Sequence, residues 1–477
     1  MKQFNSVVIG AGVSGLSAAM ALAKNGLSVA LIEQKEYIGP LLHRFKRSGA
    51  WCDPGFHYSG GLGEDGTLSV LFRYLGIDDE IEKIPLPGDG FDIIVQDGKE
   101  YKIPYGLDRF EEFLCKQFPA SRNAIQIYVD KLKEIAGNTG FLNFELEFDS
   151  FPEELYKSQS LNDFLIDAGA EEALIRLLSN HGMVLYGSTA EEVPVFVNTS
   201  VMGSFYKEAH TIRGGGDSIL KAMKSQLVSL NVELFLGDGL KKINIDDKRN
   251  VCGVELESGT ALTCDTCIST LHPWVLADVL PKDRVRPAFI SRLKNLRNTF
   301  SPYIAFYKLD HIPDKIRESN YYIFKEGAQE LEIAFMAANQ KAEFSGQKAL
   351  AILKPVPETF FKSDSAELYK EQKQQMQDQV ANQTLEIFPE LKGKMTYLDG
   401  ATSKTIYRYT RSPEGSIYGI KPTVQQMNLS SQTSVRNLYM AGQSVQSGVM
   451  GAIISALMAV GNIVGMDELR RQVVKWV

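Results

Sequence analysis

Three glycines, a serine and one glutamate near the start of the chain carry the densest chemical information. The run GAGVSG (residues 10–15) has the spacing G-x-G-x-x-G, and Glu33 follows 18 residues after Gly15. At this spacing Gly10 permits a tight turn, Gly12 lets the backbone approach a bulky anion, and Gly15 lets a helix pack closely on a strand. The elements needed to position them are all present. SVVIG reads as a short strand, LSAAMALAKNG as a helix ending at Gly26, and LSVALIE as a second strand ending at Glu33. Such a crossover aims the free N–H groups around Val13 and Ser14 at a diphosphate. Glu33, with Gln34 beside it, is placed to accept both hydroxyls of a ribose, and a carboxylate there argues against a 2′-phosphate. Dinucleotide binding is therefore favoured over a bare glycine-rich loop.

The bulk properties bound the remaining choices. A chain of 477 residues is expected to form about two domains. With 44% apolar and 23% charged residues it reads as globular, and a net charge of −7 argues against nucleic acid as a ligand. Five cysteines do not make a disulfide framework. Cys264 and Cys267, two residues apart, read as structural thiols, with redox chemistry the lesser reading. The apolar run VVIGAGVSGLSAAMALA has no basic n-region beyond Lys2, so no export is expected and the chain reads as cytoplasmic. GVMGAIISALMAVGNIVGM is long enough to span a bilayer, but its glycines, serine and asparagine suit a helix buried against a ligand.

After Gln34 the chain does not continue into further βα repeats, as nicotinamide dehydrogenases do. It runs instead through KEYIGPLLHRFKRSGAWCDPGFHYSGGL, loop-rich, basic and aromatic. Residues 1–62 resemble the phytoene desaturase, carotenoid isomerase and retinol saturase group of the amine oxidase-like flavoproteins. RGGGDSILKAMKSQL (213–227), the NVELFLGDGLKKI stretch, SPEGSIYGI (412–420) and NLYMAGQSVQSGVMGAIISALMAVGNIVG are similar to other segments of that group. The resemblance covers about half of the chain.

The resemblance implies FAD as cofactor and an α/β fold: a Rossmann-type FAD-binding domain with a discontinuous α+β substrate domain, a sheet roofed by helices. The expected division is 1–85, 206–285 and 402–477 for the FAD domain, and 86–205 and 286–401 for the substrate domain. It also implies a set of cofactor contacts: Gly10, Gly12, Val13, Ser14, Gly15, Glu33 and Gln34 at the crossover; Leu41, Leu42 and His43 near the ribityl chain; and Val232 at the adenine. Pro40 departs from the family's paired glycines and removes an N–H there. In the closing motif Gly442 and Gln443 lead into a helix begun by Met450, Gly451 and Ala452, whose N-terminal dipole can face the flavin ring.

In WCDPGFHYSGGL the glycines allow a close approach to the flavin, and His57 and Tyr58 are the candidate catalytic residues, to hydrogen-bond the ring or protonate a substrate carbon. A neutral interior histidine beside a packing tyrosine is an equally good reading. Asp53 is expected to cap the turn. His181, His210 and His272 show no metal-ligand spacing, and no metal is expected.

The implied activity is saturation or isomerisation of a C=C bond in an apolar conjugated polyene. Desaturation is the alternative, followed by amine or porphyrinogen oxidation on the same scaffold and a non-catalytic FAD-fold binding protein. Expected partners are an apolar small-molecule substrate and an electron donor or acceptor such as a quinone or a reductase. Peripheral membrane contact is a hypothesis attached to residues 150–205.

Overall fold

β1 (Lys2–Ile9) and β2 (Val29–Glu33) lie parallel, Ser6 opposite Val29 and Ile9 opposite Ile32, with α1 (Val13–Lys24) crossing between them. The computed structural model describes residues 2–316, 318–337, 347–357, 359–426 and 429–477. All of β2 is buried, and Ala18, Ala19, Ala21 and Leu22 of α1 are sealed from solvent. Covered on both faces, these strands read as unbroken apolar runs. Strand Glu233–Leu236 joins β2, strand Ala261–Ser269 joins β1, and Leu438–Met440 joins the far end of Ala261–Ser269, all parallel. The near end of Ala261–Ser269 pairs antiparallel with a hairpin built from Leu240–Ile245 and Val251–Leu256.

The carboxyl ends of the parallel strands run straight into Gly10, Gln34, Gly237, Thr270 and Ala441. In open α/β sheets that end is where ligands bind. Helix Gly448–Val464 packs against α1, with Ala452 to Leu457 buried. Among the described residues no helix is long and apolar enough to cross a membrane.

A second seven-stranded sheet runs in the order Met395–Ala401, Ser301–Leu309, Leu350–Val356, Leu331–Met336, Asn320–Phe324, Asp92–Gln96, Lys99–Ile103. Its pairings are antiparallel except for Asn320–Phe324 beside Asp92–Gln96. Successive side chains of Ser301–Leu309 go to opposite faces, as a pleat requires. Tyr303, Ala305 and Tyr307 pack toward helix Ala366–Ile387, with its Met376 and Val380. Ile304 and Phe306 pack toward helices Arg122–Asn138, Glu172–Tyr186 and Val195–Lys207.

Between the sheets Asp53 takes on an ionic role. It is 2% exposed and pairs with Arg44 Nε at 2.5 Å and with Lys348 Nζ, and these cations hold its carboxyl below the usual range despite burial. A carboxylate this deep needs countercharge more than a backbone N–H. Cys264 and Cys267 both lie in strand Ala261–Ser269, where residues three apart face opposite ways. Burial pushes the Cys264 thiol up to about 12, so both cysteines pack as small apolar side chains.

Candidate active site

A cavity of about 460 Å³ opens at the carboxyl ends of the parallel strands. Gly10, Gly12, Val13, Ser14, Glu33, Gln34, Leu41, Leu42, Gly442, Gln443 and Ala452 all line it. Gly10 makes its turn at φ +96°, open to glycine and rarely to other residues. A Cβ on Gly12 would meet nothing within 4 Å, so the cleft lies directly beside it. A Cβ on Gly15 would sit 1.8 Å from the Gly10 carbonyl oxygen; Gly15 does not line this cavity and serves the helix–strand contact.

Glu33 is 6% exposed, and its two oxygens accept the Ala11 and Lys35 N–H groups, each at 2.9 Å. Burial raises its pKa, opposed by those bonds. Each oxygen keeps a lone pair for a sugar hydroxyl. Ser14 is buried, and its Oγ finds no hydrogen-bond partner among the described residues. Gln34 Oε1 accepts from Arg411 Nε at 2.8 Å, which brings a guanidinium to the cleft wall.

Two residues of the expected cofactor set, His43 and Val232 (the latter expected to meet the adenine through its backbone), line neither this cavity nor the adjoining one. His43 lines neither cavity: its ring packs on Tyr37 at 4.9 Å and its Nδ1 lies 3.7 Å from Asp217, because the turn at Gly39 sends it outward after Leu42. Val232 ends the turn after helix Gly215–Ser229, its N–H bonded to the Leu227 carbonyl and its side chain in the core. From that segment Gly239 and Leu240 reach the cleft, past the end of strand Glu233–Leu236.

A second cavity of about 250 Å³ adjoins the first, and Gly55, Tyr418, Gln443, Gly448 and Val449 line both. Its wall is mostly apolar, with Phe56, Phe141, Leu142, Phe151, Leu185 and Phe196 among the lining residues. Met450 and Gly451 line this chamber while Ala452 lines the first, so the start of helix Gly448–Val464 stands between them. A helix N-terminus there favours negative charge at the junction.

His57 and Tyr58 both line the apolar chamber. Burial pushes the His57 imidazole down to about 4, so the ring is neutral near pH 7. No hydrogen bond joins that ring to another described residue. Tyr58 is tied in: its hydroxyl donates to Asp92 Oδ2 at 2.6 Å and lies 3.3 Å from the Tyr322 hydroxyl. Burial and the Asp92 charge push its pKa well up, so it keeps its proton.

Tyr322 and Tyr418 also line the chamber, and Asp92, His181 and Asn320 stand behind it; none of them was a candidate site residue from the sequence, where His181 was weighed only as a metal ligand. His181 Nε2 donates to Asp92 Oδ2 at 2.9 Å and Asn320 Nδ2 to Asp92 Oδ1 at 3.0 Å. The available signals were an aspartate heading the apolar strand DIIVQ, and a histidine on a helix face otherwise occupied by leucine and valine.

Residues 13–464 match the family described as flavin containing amine oxidoreductase. The chain belongs to that family. All-trans-retinol 13,14-reductase from Danio rerio is 24% identical over 525 residues, spanning 96% of this chain and 85% of the relative. Prolycopene isomerase 2, chloroplastic, from an Oncidium hybrid cultivar is 21% identical over 492 residues, spanning 96% and 83%. The fold is shared with the crystal structure of an oxidoreductase from Methanosarcina mazei at a TM-score of 0.68 and 16% identity, over 96% of this chain and 99% of that one. The protein is an FAD-dependent oxidoreductase.

The residues present fit that cofactor. The open side of Gly12 and the unpartnered Ser14 Oγ offer a place to a diphosphate, the Glu33 carboxylate to a ribose, and the junction at Met450 and Ala452 to a flavin ring.

Proposed function

We propose that this flavoprotein saturates a C=C bond of an apolar conjugated polyene of retinoid or carotenoid type. The observation that carries the reading is the apolar chamber that joins the cofactor cleft at the head of helix Gly448–Val464 and holds a protonated tyrosine in its wall. FAD, when bound, supplies hydride exchange with carbon. Phe141, Phe151 and Phe196 exclude water and hold a flat hydrocarbon, Tyr58 gives the proton, and neutral His57 hydrogen-bonds at the ring end of the chamber. The retinol reductase and prolycopene isomerase relatives support a polyene substrate. The isomerase also favours a second reading on the same site, redox-neutral cis–trans isomerisation.

In this reading residues 1–85, 206–285 and 402–477 carry the cofactor, residues 86–205 and 286–401 enclose the substrate, and a quinone or a reductase exchanges electrons with the flavin. Hydride exchange at the flavin N5 belongs to the same proposal. Peripheral membrane contact at residues 150–205 follows from a lipid-soluble substrate; co-migration with liposomes in flotation supports it and its absence contradicts it.

The test incubates reduced, FAD-loaded protein with all-trans-retinol or prolycopene without oxygen and analyses the products by chromatography and mass. Gain of two hydrogens supports saturation, and a changed double-bond geometry at constant mass supports isomerisation. An untouched polyene, with hydrogen peroxide released from added amines in air, overturns both.

A further inference from the structure

Behind the chamber wall a string of buried polar side chains runs inward from Tyr58. Asp92 heads strand Asp92–Gln96 and is 0% exposed; His181 in helix Glu172–Tyr186 is 1% exposed and Tyr206 in helix Val195–Lys207 is 0% exposed. The Tyr58 hydroxyl and His181 Nε2 both bond the same oxygen, Asp92 Oδ2, at 2.6 and 2.9 Å, while Asn320 occupies Oδ1. His181 Nδ1 lies 3.1 Å from the Tyr206 hydroxyl. Around this string the core is apolar and aromatic: Phe91 is 5.6 Å from the His181 ring and Phe110 stacks on Tyr206 at 3.8 Å. Well-packed hydrophobic side chains of similar volume often serve stability as well as or better than a buried ionic group. An anchor for Tyr58 would need one acceptor. A carboxylate oxygen shared between a phenol that borders the chamber and an imidazole behind it does more than anchor.

We propose that Asp92 and His181 form a proton relay that recharges Tyr58; the inference rests on the reading above, in which Tyr58 protonates the substrate. The relay is loaded as a His181 imidazolium beside the Asp92 carboxylate, donating at Nε2 to Asp92 and at Nδ1 to Tyr206. One polyene carbon takes a hydride from the reduced flavin, and its neighbour takes the proton from the Tyr58 hydroxyl as the π bond breaks. The Asp92 carboxylate takes the Nε2 proton of His181 at Oδ2 and passes it to the Tyr58 oxygen. The net change is two C–H bonds formed, oxidised flavin and a neutral His181 imidazole, which regains a proton from solvent through Tyr58 and Asp92 in reverse after product leaves. Further inward Tyr128 donates to Asn198 Oδ1 at 2.8 Å and Asn198 Nδ2 donates to the Tyr186 hydroxyl at 2.9 Å. An amide passes no proton readily, so this stretch orients Tyr206 and the relay ends at His181. Asp92 and His181 are positioning residues; of the three relay members only Tyr58 touches substrate.

The test uses FAD-loaded full-length protein, reduced without oxygen and mixed with all-trans-retinol in H2O and in D2O. Asp92→Asn and His181→Gln are expected to slow flavin reoxidation about 100-fold or more, the scale of general acid catalysis. Bound FAD per chain and the half-saturating retinol concentration stay at wild-type values. A second readout needs no turnover: the low-field proton NMR signal of the His181 imidazole in the wild-type protein, which Tyr58→Phe should shift because it removes the other donor to the shared oxygen. Variants that reoxidise at the wild-type rate, or a signal unmoved by Tyr58→Phe, overturn the relay. A wild-type protein that ignores retinol while its signal moves with Tyr58→Phe contradicts the substrate reading and supports the relay.

Discussion

Gly12 and Gly15 look alike in the sequence and do opposite work. A methyl group at Gly12 would enter open cleft at an allowed φ of −72°, whereas one at Gly15 would strike the Gly10 carbonyl. Gly12→Ala should therefore leave the melting temperature of the apoprotein unchanged and weaken FAD at least tenfold in a fluorescence titration. Gly15→Ala should lower that temperature or prevent folding, as backbone overlaps in a packed core do. His272 sets a second test. Its Nδ1 accepts the Trp274 N–H and its Nε2 donates to Asn298 Oδ1, and burial pushes its pKa from 6.5 to about 4. The folded chain thus prefers the neutral ring: its stabilisation is complete above pH 6.5 and is lost as pH falls toward 4, on the order of 3 kcal/mol. Denaturant melts across that window should show a shallower loss for His272→Asn, which keeps the acceptor for Trp274 without the titration. Residues tied to local spacing, Gly10 to Glu33, were legible because turn, helix and strand follow one another. Asp92 and His181 were not, since they meet across 89 positions through the packing of a helix on a sheet.

At the scale of elements, helix Gly448–Val464 controls the junction of the two cavities. Ser455, fully buried in its second turn, accepts the Gly442 N–H at 2.9 Å and so holds the loop that carries Gln443. Ser455→Ala strands that buried N–H and should cost about 1–3 kcal/mol in denaturant unfolding. The apolar length of this helix left two readings open from the sequence, and its glycines and Ser455 decided correctly for a buried position. The second sheet was legible as strands such as YIAFYKL, an apolar and aromatic run of strand length that is buried on both faces. Its order was not, because Asp92–Gln96 is inserted next to Asn320–Phe324 from more than 200 residues away, a choice made by side-chain packing on both faces.

At the scale of the molecule, Asp53 ties the segment between cleft and chamber to strand Gln347–Lys348 through Arg44 and Lys348. Lys348→Met removes a charge that faces a carboxylate 2% exposed, and should cost about 3 kcal/mol in thermal or denaturant unfolding. A stability equal to wild type would show that Arg44 alone suffices. The sequence carried the cofactor half of the molecule because phosphate and ribose recognition uses short, local patterns. The apolar chamber is assembled from residues 55–59, 139–151, 184–205 and 418–458 with Tyr322 and Met336, none of which alone signals a common wall.

The central claim is that the chamber presents a polyene to the flavin. Its most direct test is the absorbance of the dithionite-reduced holoprotein, freed of excess dithionite, on anaerobic addition of all-trans-retinol. The account predicts return of the oxidised flavin spectrum in step with loss of polyene absorbance, and a much slower return in Tyr58→Phe. A flavin that stays reduced beside unchanged retinol, or a return of equal speed in Tyr58→Phe, would contradict it.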